Sequence, residues 1–303
     1  MRHSGNNITT LVNNLLVSYS DVGPEEAPVI IFIHGFPLNK SMWDKQMKTL
    51  KDNYRVIAYD IRGHGNSETG DCTFSIDHLV GDLIGLMDVL KIKKASLCGL
   101  SMGGYIVLNA IRNFQKRFDA IILSDTNCVA DTPEGRDKRM KSIENIHENG
   151  LEEYAGESVK NLFAPESFTT KVAEIADVKN MILGTTKQSI TKTLLALSSR
   201  NETCSILPEI KIPVLILVGE EDKITPPTAA QFMHENTKES LLHIVKHAGH
   251  LSNLENPGDF NKQLKLFFEI VYKKKPLLNP ANFNSNLKQI KNKLSIFFAF
   301  KSI

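Results

Sequence analysis

Gly99-Leu100-Ser101-Met102-Gly103-Gly104 is the stretch that decides how this chain folds. A strand-like run, Ala95-Ser96-Leu97-Cys98, leads into it, and Ile106, Ala110 and Phe114 follow at helical spacing. G-x-S-x-G between a strand and a helix describes a sharp turn that lifts the serine hydroxyl above the sheet edge. The glycines suit it, because a side chain there would clash within so tight a turn. The competing reading is a phosphate-binding or merely tight strand-to-helix turn. The strand before and the helix after favour Ser101 as a nucleophile.

Outward from this turn, short apolar runs alternate with helical patterns: Val29–Ile33, Arg55–Tyr59, Ala120–Leu123 and Pro213–Val218. None alternates polar with apolar, as expected of a parallel sheet covered on both faces. Ile76, Leu79, Val80, Leu83, Met87 and Leu90 keep a helical period, as do Phe260, Leu264, Phe267, Phe268 and Val271. Between Val129 and Cys204 no strand run occurs, and Leu151, Tyr154, Val172, Ile175, Ile190, Leu194 and Leu197 recur at helical spacing. The expected organisation is an α/β core in 1–128 and 205–272, a helical insertion in 129–204, and an extension in 273–303. Met181, Ile182, Leu194, Leu195 and Tyr154 could line a pocket, although packing among the inserted helices is the more ordinary role for such residues.

Composition narrows the functional classes. With 42% hydrophobic and 23% charged residues the chain is of ordinary globular type, which excludes collagen-like, coiled-coil and largely disordered readings. The net charge of +2 is unevenly spread. Seven lysines and no acidic residue lie from Lys273 onward, so 29 basic residues face 34 acidic ones in 1–272. That body has no basic stripe for a nucleic-acid backbone. Leu287, Ile290, Leu294 and Phe297, interleaved with Lys288, Lys291 and Lys293, form a basic amphipathic pattern that suits an anionic membrane surface or a partner. A dispensable extension is the preferred alternative. No apolar run approaches the ~18 residues of a membrane span. The N-terminus shows no apolar leader segment, so a cytoplasmic protein is expected. Cys72, Cys98, Cys128 and Cys204 fit neither a zinc pattern nor a disulfide framework, and buried free thiols are the expectation.

A serine hydroxyl needs a base to take its proton and an acid to orient that base. Both follow in chain order. Gly219-Glu220-Glu221-Asp222 comes after the run ending at Val218, and His247-Ala248-Gly249-His250 after Leu241–Val245. Loops at strand C-terminal ends converge on one crevice in open α/β sheets. Asp222 is the preferred acid, with Glu220, Glu221 and Asp125 as rivals. His250 is preferred over His247. The histidine spacings lack the H-E-x-x-H form and a third ligand, so no metal is expected. Two donors should hold the oxyanion: the N–H of Met102, next after the nucleophile, and that of Phe36 in His34-Gly35-Phe36-Pro37, since Pro37 has none.

Together with Asp60-Ile61-Arg62-Gly63-His64-Gly65-Asn66-Ser67, these segments resemble the α/β-hydrolase superfamily, in particular its small-esterase and enol-lactonase-like group with a helical lid. The resemblance spans about residues 28 to 271. It implies a mostly parallel eight-stranded sheet, a Ser-Asp-His triad of Ser101, Asp222 and His250, and a lid inserted after the sixth strand. It also implies that Asp60, Arg62 and His64 shape a loop rather than react. The expected activity is hydrolysis of a small-molecule ester or lactone through an acyl-enzyme, without cofactor. C–C bond hydrolysis or perhydrolysis by the same residues is the alternative, and a small-ligand receptor the reading from a different class. The H-G-F-P oxyanion segment differs from the H-G-G-G form of some relatives, and the tail from Lys273 lies outside the resemblance.

Overall fold

Each apolar run becomes a strand of one sheet. The computed structural model describes residues 4–71 and 74–272; Cys72 and the basic tail, with its membrane-surface reading, lie outside the described residues. The strands are β1 (Gly5–Val12), β2 (Leu15–Val22), β3 (Val29–Ile33), β4 (Arg55–Tyr59), β5 (Ala95–Leu100), β6 (Phe118–Ser124), β7 (Val214–Gly219) and β8 (Ser240–Val245). Their spatial order is β1-β2-β4-β3-β5-β6-β7-β8, parallel from β4 to β8 and antiparallel where β2 pairs with β1 and β4. This is the mostly parallel eight-stranded sheet implied by the resemblance.

β1 and β2 were not read from the sequence, although a local signal marks them. Asn13 and Asn14 take φ of 49° and 63° between the paired residues Val12 and Leu15, which makes a two-residue hairpin turn. The hairpin leaves Leu11 and Leu16 exposed, so the apolar pattern of these strands is weak.

The helices are α1 (Asp44–Leu50), α2 (Ile76–Val89), α3 (Met102–Phe114), α4 (Pro133–Asn149), α5 (Leu151–Leu162), α6 (Ser167–Thr170), α7 (Val172–Leu183), α8 (Lys187–Ser198), α9 (Pro227–Asn236), α10 (Ser252–Glu255) and α11 (Pro257–Tyr272). Two compact units divide the chain, residues 1–264 and 265–303. All eight strands lie in the first.

The non-alternating strands have a packing reason. In β3, Ile31 and Ile33 join the large cluster formed with α2 and α3, while Phe32 points the other way, its ring centroid 4.8 Å from that of Trp43. Trp43 in turn meets Phe260 at 6.2 Å. Both faces are dry, so both sets of alternate residues must be apolar. Helix ends are also locally encoded. Ser75 caps α2 by accepting from His78 N–H, Thr132 caps α4 ahead of Pro133, and Gly150 separates α4 from α5 at φ 89°.

Helices α4 to α8 lie between β6 and β7. At the neck of this insertion the cysteine expectation fails: Cys128 and Cys204 form a disulfide with a Cα–Cα distance of 4.8 Å. They stand 76 positions apart in the sequence, and the pairing emerges only because the chain leaves β6 and returns to the same place. Thr203 N–H donates to Cys128 O at 2.7 Å there. Only Cys98 is a free thiol among the described residues, and it is buried. The expectation of free thiols therefore fails for Cys128 and Cys204 and holds for Cys98. No helix among the described residues is long and apolar enough to cross a membrane.

Candidate active site

Ser101 sits between β5 and α3 with φ 53° and ψ −114°, a conformation a non-glycine residue adopts only under constraint. Four hydrogen bonds impose it. Its N–H donates to Ser124 O (3.0 Å), and its carbonyl accepts from Gly104 N (2.9 Å), Tyr105 N (3.2 Å) and Thr126 Oγ1 (2.8 Å). The turn closes so tightly that a Cβ on Gly99 would fall 2.3 Å from Gly103 O, and one on Gly103 would fall 2.3 Å from Ile33 O. The Met102 N–H directly follows Ser101 and opens the 13-residue α3, where helix N–H groups and dipole favour negative charge.

The segment after β3 lies against this turn. A Cβ on Gly35 would be 3.4 Å from Ser101 Cβ, so the Phe36 peptide follows immediately beside the serine. His34 is fully buried and locks the segment. Its Nε2 accepts from Ile61 N–H (3.0 Å), which leaves the proton on Nδ1 to donate to Gly35 O (2.9 Å). Burial lowers its pKa to about 4, so the ring is neutral.

Asp60, Arg62 and His64 spend their polar atoms on their surroundings. The Asp60 carboxylate accepts from Lys40 N, Lys40 Nζ and Asn66 N, and Arg62 forks onto Asp82. His64 Nδ1 bonds Arg62 O, and burial, with His34 nearby, lowers its pKa to about 3.

The structure brings Asp222 and His250 together. Asp222 Oδ2 accepts from His250 Nδ1 at 2.8 Å, and the pair is almost wholly buried. Asp222 Oδ1 accepts from Ile224 N (2.8 Å) and Thr225 N (3.0 Å), and Oδ2 also from Thr225 Oγ1 (2.7 Å). Burial opposes the charge on Asp222, but His250 and the Thr225 donors outweigh it and hold its pKa below the ordinary value. For His250, burial pulls downward, yet Asp222, followed by Asp125 and Glu255, raises the pKa above the ordinary 6.5.

The rivals go elsewhere. His247 is exposed and meets Glu166 at 3.2 Å, while Glu220 pairs with Lys246 at the surface. Asp125, at φ 44°, accepts from Gly219 N (2.8 Å), Ser124 Oγ (2.7 Å) and Ser252 Oγ (2.5 Å). Burial and the Asp222 charge raise its pKa to about 7. Asp125 thus ties the end of β7, from which the Asp222 loop leaves, to Ser252, two residues after His250, and it also holds Ser124, whose carbonyl accepts the Ser101 N–H. Sequence reasoning did not find this brace, nor Thr225 and Glu255, whose partners are tertiary.

Among the described residues no cluster of three metal-ligating side chains occurs. A separate polar cavity of about 610 Å³ is lined by Asn39, Lys40, Asp44, Asn66 and Met181, and Ser101, Asp222 and His250 are not among its lining residues.

Residues 30–263 match the alpha/beta hydrolase family model. The chain belongs to this family. It is 30% identical over 253 residues to 3-oxoadipate enol-lactonase 2 of Acinetobacter baylyi, covering 84% of this chain and 93% of that one. Among solved structures it is similar to a thermophilic esterase from Thermogutta terrifontis, with a TM-score of 0.83, 28% identity and coverage of 88% and 98% of the two chains. It is also similar to the enol-lactonase from Burkholderia xenovorans LB400, with a TM-score of 0.81, 27% identity and coverage of 86% and 99%.

Proposed function

We propose that this hydrolase is a carboxylic ester hydrolase that cleaves a small ester or lactone through Ser101, His250 and Asp222. The observation that carries the reading is the buried 2.8 Å bond from His250 Nδ1 to Asp222, in a fold that presents a strained serine at the strand-to-helix turn. Kinship with an enol-lactonase and an esterase supports the choice of substrate class.

A carboxylate can only accept, so Asp222 fixes the His250 proton on Nδ1 and leaves the Nε2 lone pair for the serine. Ser101 Oγ gives its proton to Nε2 as it attacks the carbonyl carbon. The Phe36 and Met102 N–H groups hold the resulting oxyanion. Collapse expels the alkoxide, which takes the proton from Nε2. Water then repeats the cycle, giving its proton to Nε2, hydrolysing the acyl-Ser101 ester and releasing the acid. Residues 129–204 act as the lid over the substrate and set its shape, and no cofactor takes part.

A fluorophosphonate tests the class before the substrate, because it reacts only with an activated serine and mimics the tetrahedral intermediate. Stoichiometric labelling at Ser101 is expected, abolished in Ser101→Ala and strongly slowed in His250→Ala, with both variants folded. Absence of labelling in the folded wild-type chain would overturn the mechanism. A panel of p-nitrophenyl esters and simple lactones then ranks the substrates.

A further inference from the structure

Glu255 is a buried carboxylate, 2% exposed, that the mechanism above does not use. It ends α10, five residues after His250. Its Oε1 accepts from Gly249 N–H at 2.8 Å. Its Oε2 accepts from Ala164 N–H at 2.8 Å, in the stretch joining α5 to α6 of the insertion, and from Oγ of Ser167, the first residue of α6, at 2.6 Å. The next amide along the loop, His250 N–H, donates to Leu162 O at 3.0 Å. The two surfaces touch closely enough that a Cβ on Gly249 would fall 2.6 Å from Ala164 N and 2.9 Å from the Phe163 carbonyl carbon.

Residues 162–167 therefore hold the His250 loop in two ways: Leu162 O takes the His250 N–H directly, and Glu255 bridges Ala164 and Ser167 to the Gly249 N–H. No cation is among these carboxylate partners, which are amides and a hydroxyl. Burial raises the Glu255 pKa, against the donors from Ser167, Ala164, Gly249 and Leu251. A buried carboxylate with only neutral partners is costly, and a packed apolar residue would serve stability as well. Its position has a use that an apolar residue could not fill.

We propose that Glu255 is a positioning residue that fastens the inserted helices to the His250 loop, so that seating of the insertion and alignment of His250 are one event. The proposal rests on the reading of His250 as the base. Lifting residues 162–167 away would free the His250 N–H and strip Glu255 of its Ala164 and Ser167 donors, so its hold on the Gly249 N–H would lose its anchor and the ring the backbone that aims it. Glu255 also contributes charge. It faces His250 from α10, as Asp222 does from the loop after β7 and Asp125 from the end of β6, and all three favour the protonated ring. A substrate that seats the insertion would thereby also set the base.

The test uses the full chain and the variants Glu255→Gln, Glu255→Asp and Ser167→Ala. In Glu255→Gln an amide NH2 replaces one acceptor oxygen and meets donors. Amide hydrogen exchange at Ala164, Gly249 and His250 should accelerate together by about tenfold or more, while α2 and α3 stay protected. Turnover of p-nitrophenyl acetate should fall by about 10- to 100-fold in kcat with KM nearly unchanged, as expected when the base is misaligned rather than the pocket altered. The acid limb of kcat/KM should move to lower pH, since a charge favouring protonated His250 is gone. Glu255→Asp keeps the charge but shortens the reach, so it should lose exchange protection and rate without the full shift of the limb. Ser167→Ala removes one donor and should accelerate exchange at Ala164 and Gly249 less, in the same direction. Unchanged exchange at these amides in Glu255→Gln overturns the clamp, as does loss of rate in that variant with an unmoved acid limb. The exchange measurement needs no activity. If the wild-type chain fails to label with fluorophosphonate while the three amides still loosen together, the hydrolase reading falls and the clamp stands.

Discussion

Asp222→Asn isolates the orienting acid, because the structure dictates how an asparagine would sit. Asp222 Oδ1 is held by two backbone N–H groups, at 2.8 Å from Ile224 and 3.0 Å from Thr225, so the asparagine carbonyl must take that place. The NH2 then occupies the Oδ2 position, 2.8 Å from His250 Nδ1. Two donors cannot face each other, so Nδ1 turns acceptor and the imidazole proton moves to Nε2, where it blocks uptake of the serine proton. Restoring the competent tautomer leaves a buried donor unpaired, at about 1–3 kcal/mol. The imidazolium formed during reaction also loses its counter-charge, worth about 4 kcal/mol for unit charges ~4 Å apart at an effective dielectric of ~20. Together these give about 5 kcal/mol or somewhat more, close to a 10⁴-fold loss of kcat. Stopped assays with p-nitrophenyl acetate should show this with KM little changed. Asp125→Asn is the control. Its Oδ1 still accepts from Gly219, and its NH2 meets two serine hydroxyls that can turn and accept, so the loss should stay within about tenfold. An Asp125→Asn loss equal to or larger than that of Asp222→Asn would refute the assignment of the acid.

Ser101→Gly should be more stable than Ser101→Ala by about 1 kcal/mol in urea unfolding, because glycine relieves about 1–3 kcal/mol of strain at φ 53° and gives back part of it as chain entropy. Equal stability would mean that the elbow is not strained. His64 should make folding acid-sensitive. Its folded pKa of about 3 lies below the ordinary 6.5, so the unfolded chain binds the extra proton and wild-type stability is lost as pH falls below 6.5. His64→Gln lacks this term, and its stability deficit against wild type should shrink by about 2–3 kcal/mol between pH 7 and pH 4.5. A deficit independent of pH would show that the ring protonates in the folded state.

What the sequence determined by itself is local. The turn at Ser101 is legible because its geometry tolerates almost nothing else: glycines at 99 and 103 stand where any Cβ would strike backbone. The parallel sheet is legible because strands buried on both faces need unbroken apolar runs, and the ends of α2 and α4 because Ser75 and Thr132 cap their own helices. The β1–β2 hairpin was within reach through Asn13-Asn14, but one exposed face blurred its pattern. Tertiary structure alone decided which acid met which base. Asp222, Asp125 and two glutamates all stand at suitable strand ends, and only folding turned Asp222 toward His250 and Asp125 toward Ser252. It alone joined Cys128 to Cys204 and brought residues 162–167 onto Glu255, because the bounds of an insertion do not say how closely its two ends approach or which of its residues fold back onto the His250 loop. A turn or cap is specified by residues a few positions apart, whereas a buried charge or thiol finds its partner through the packing of the whole core.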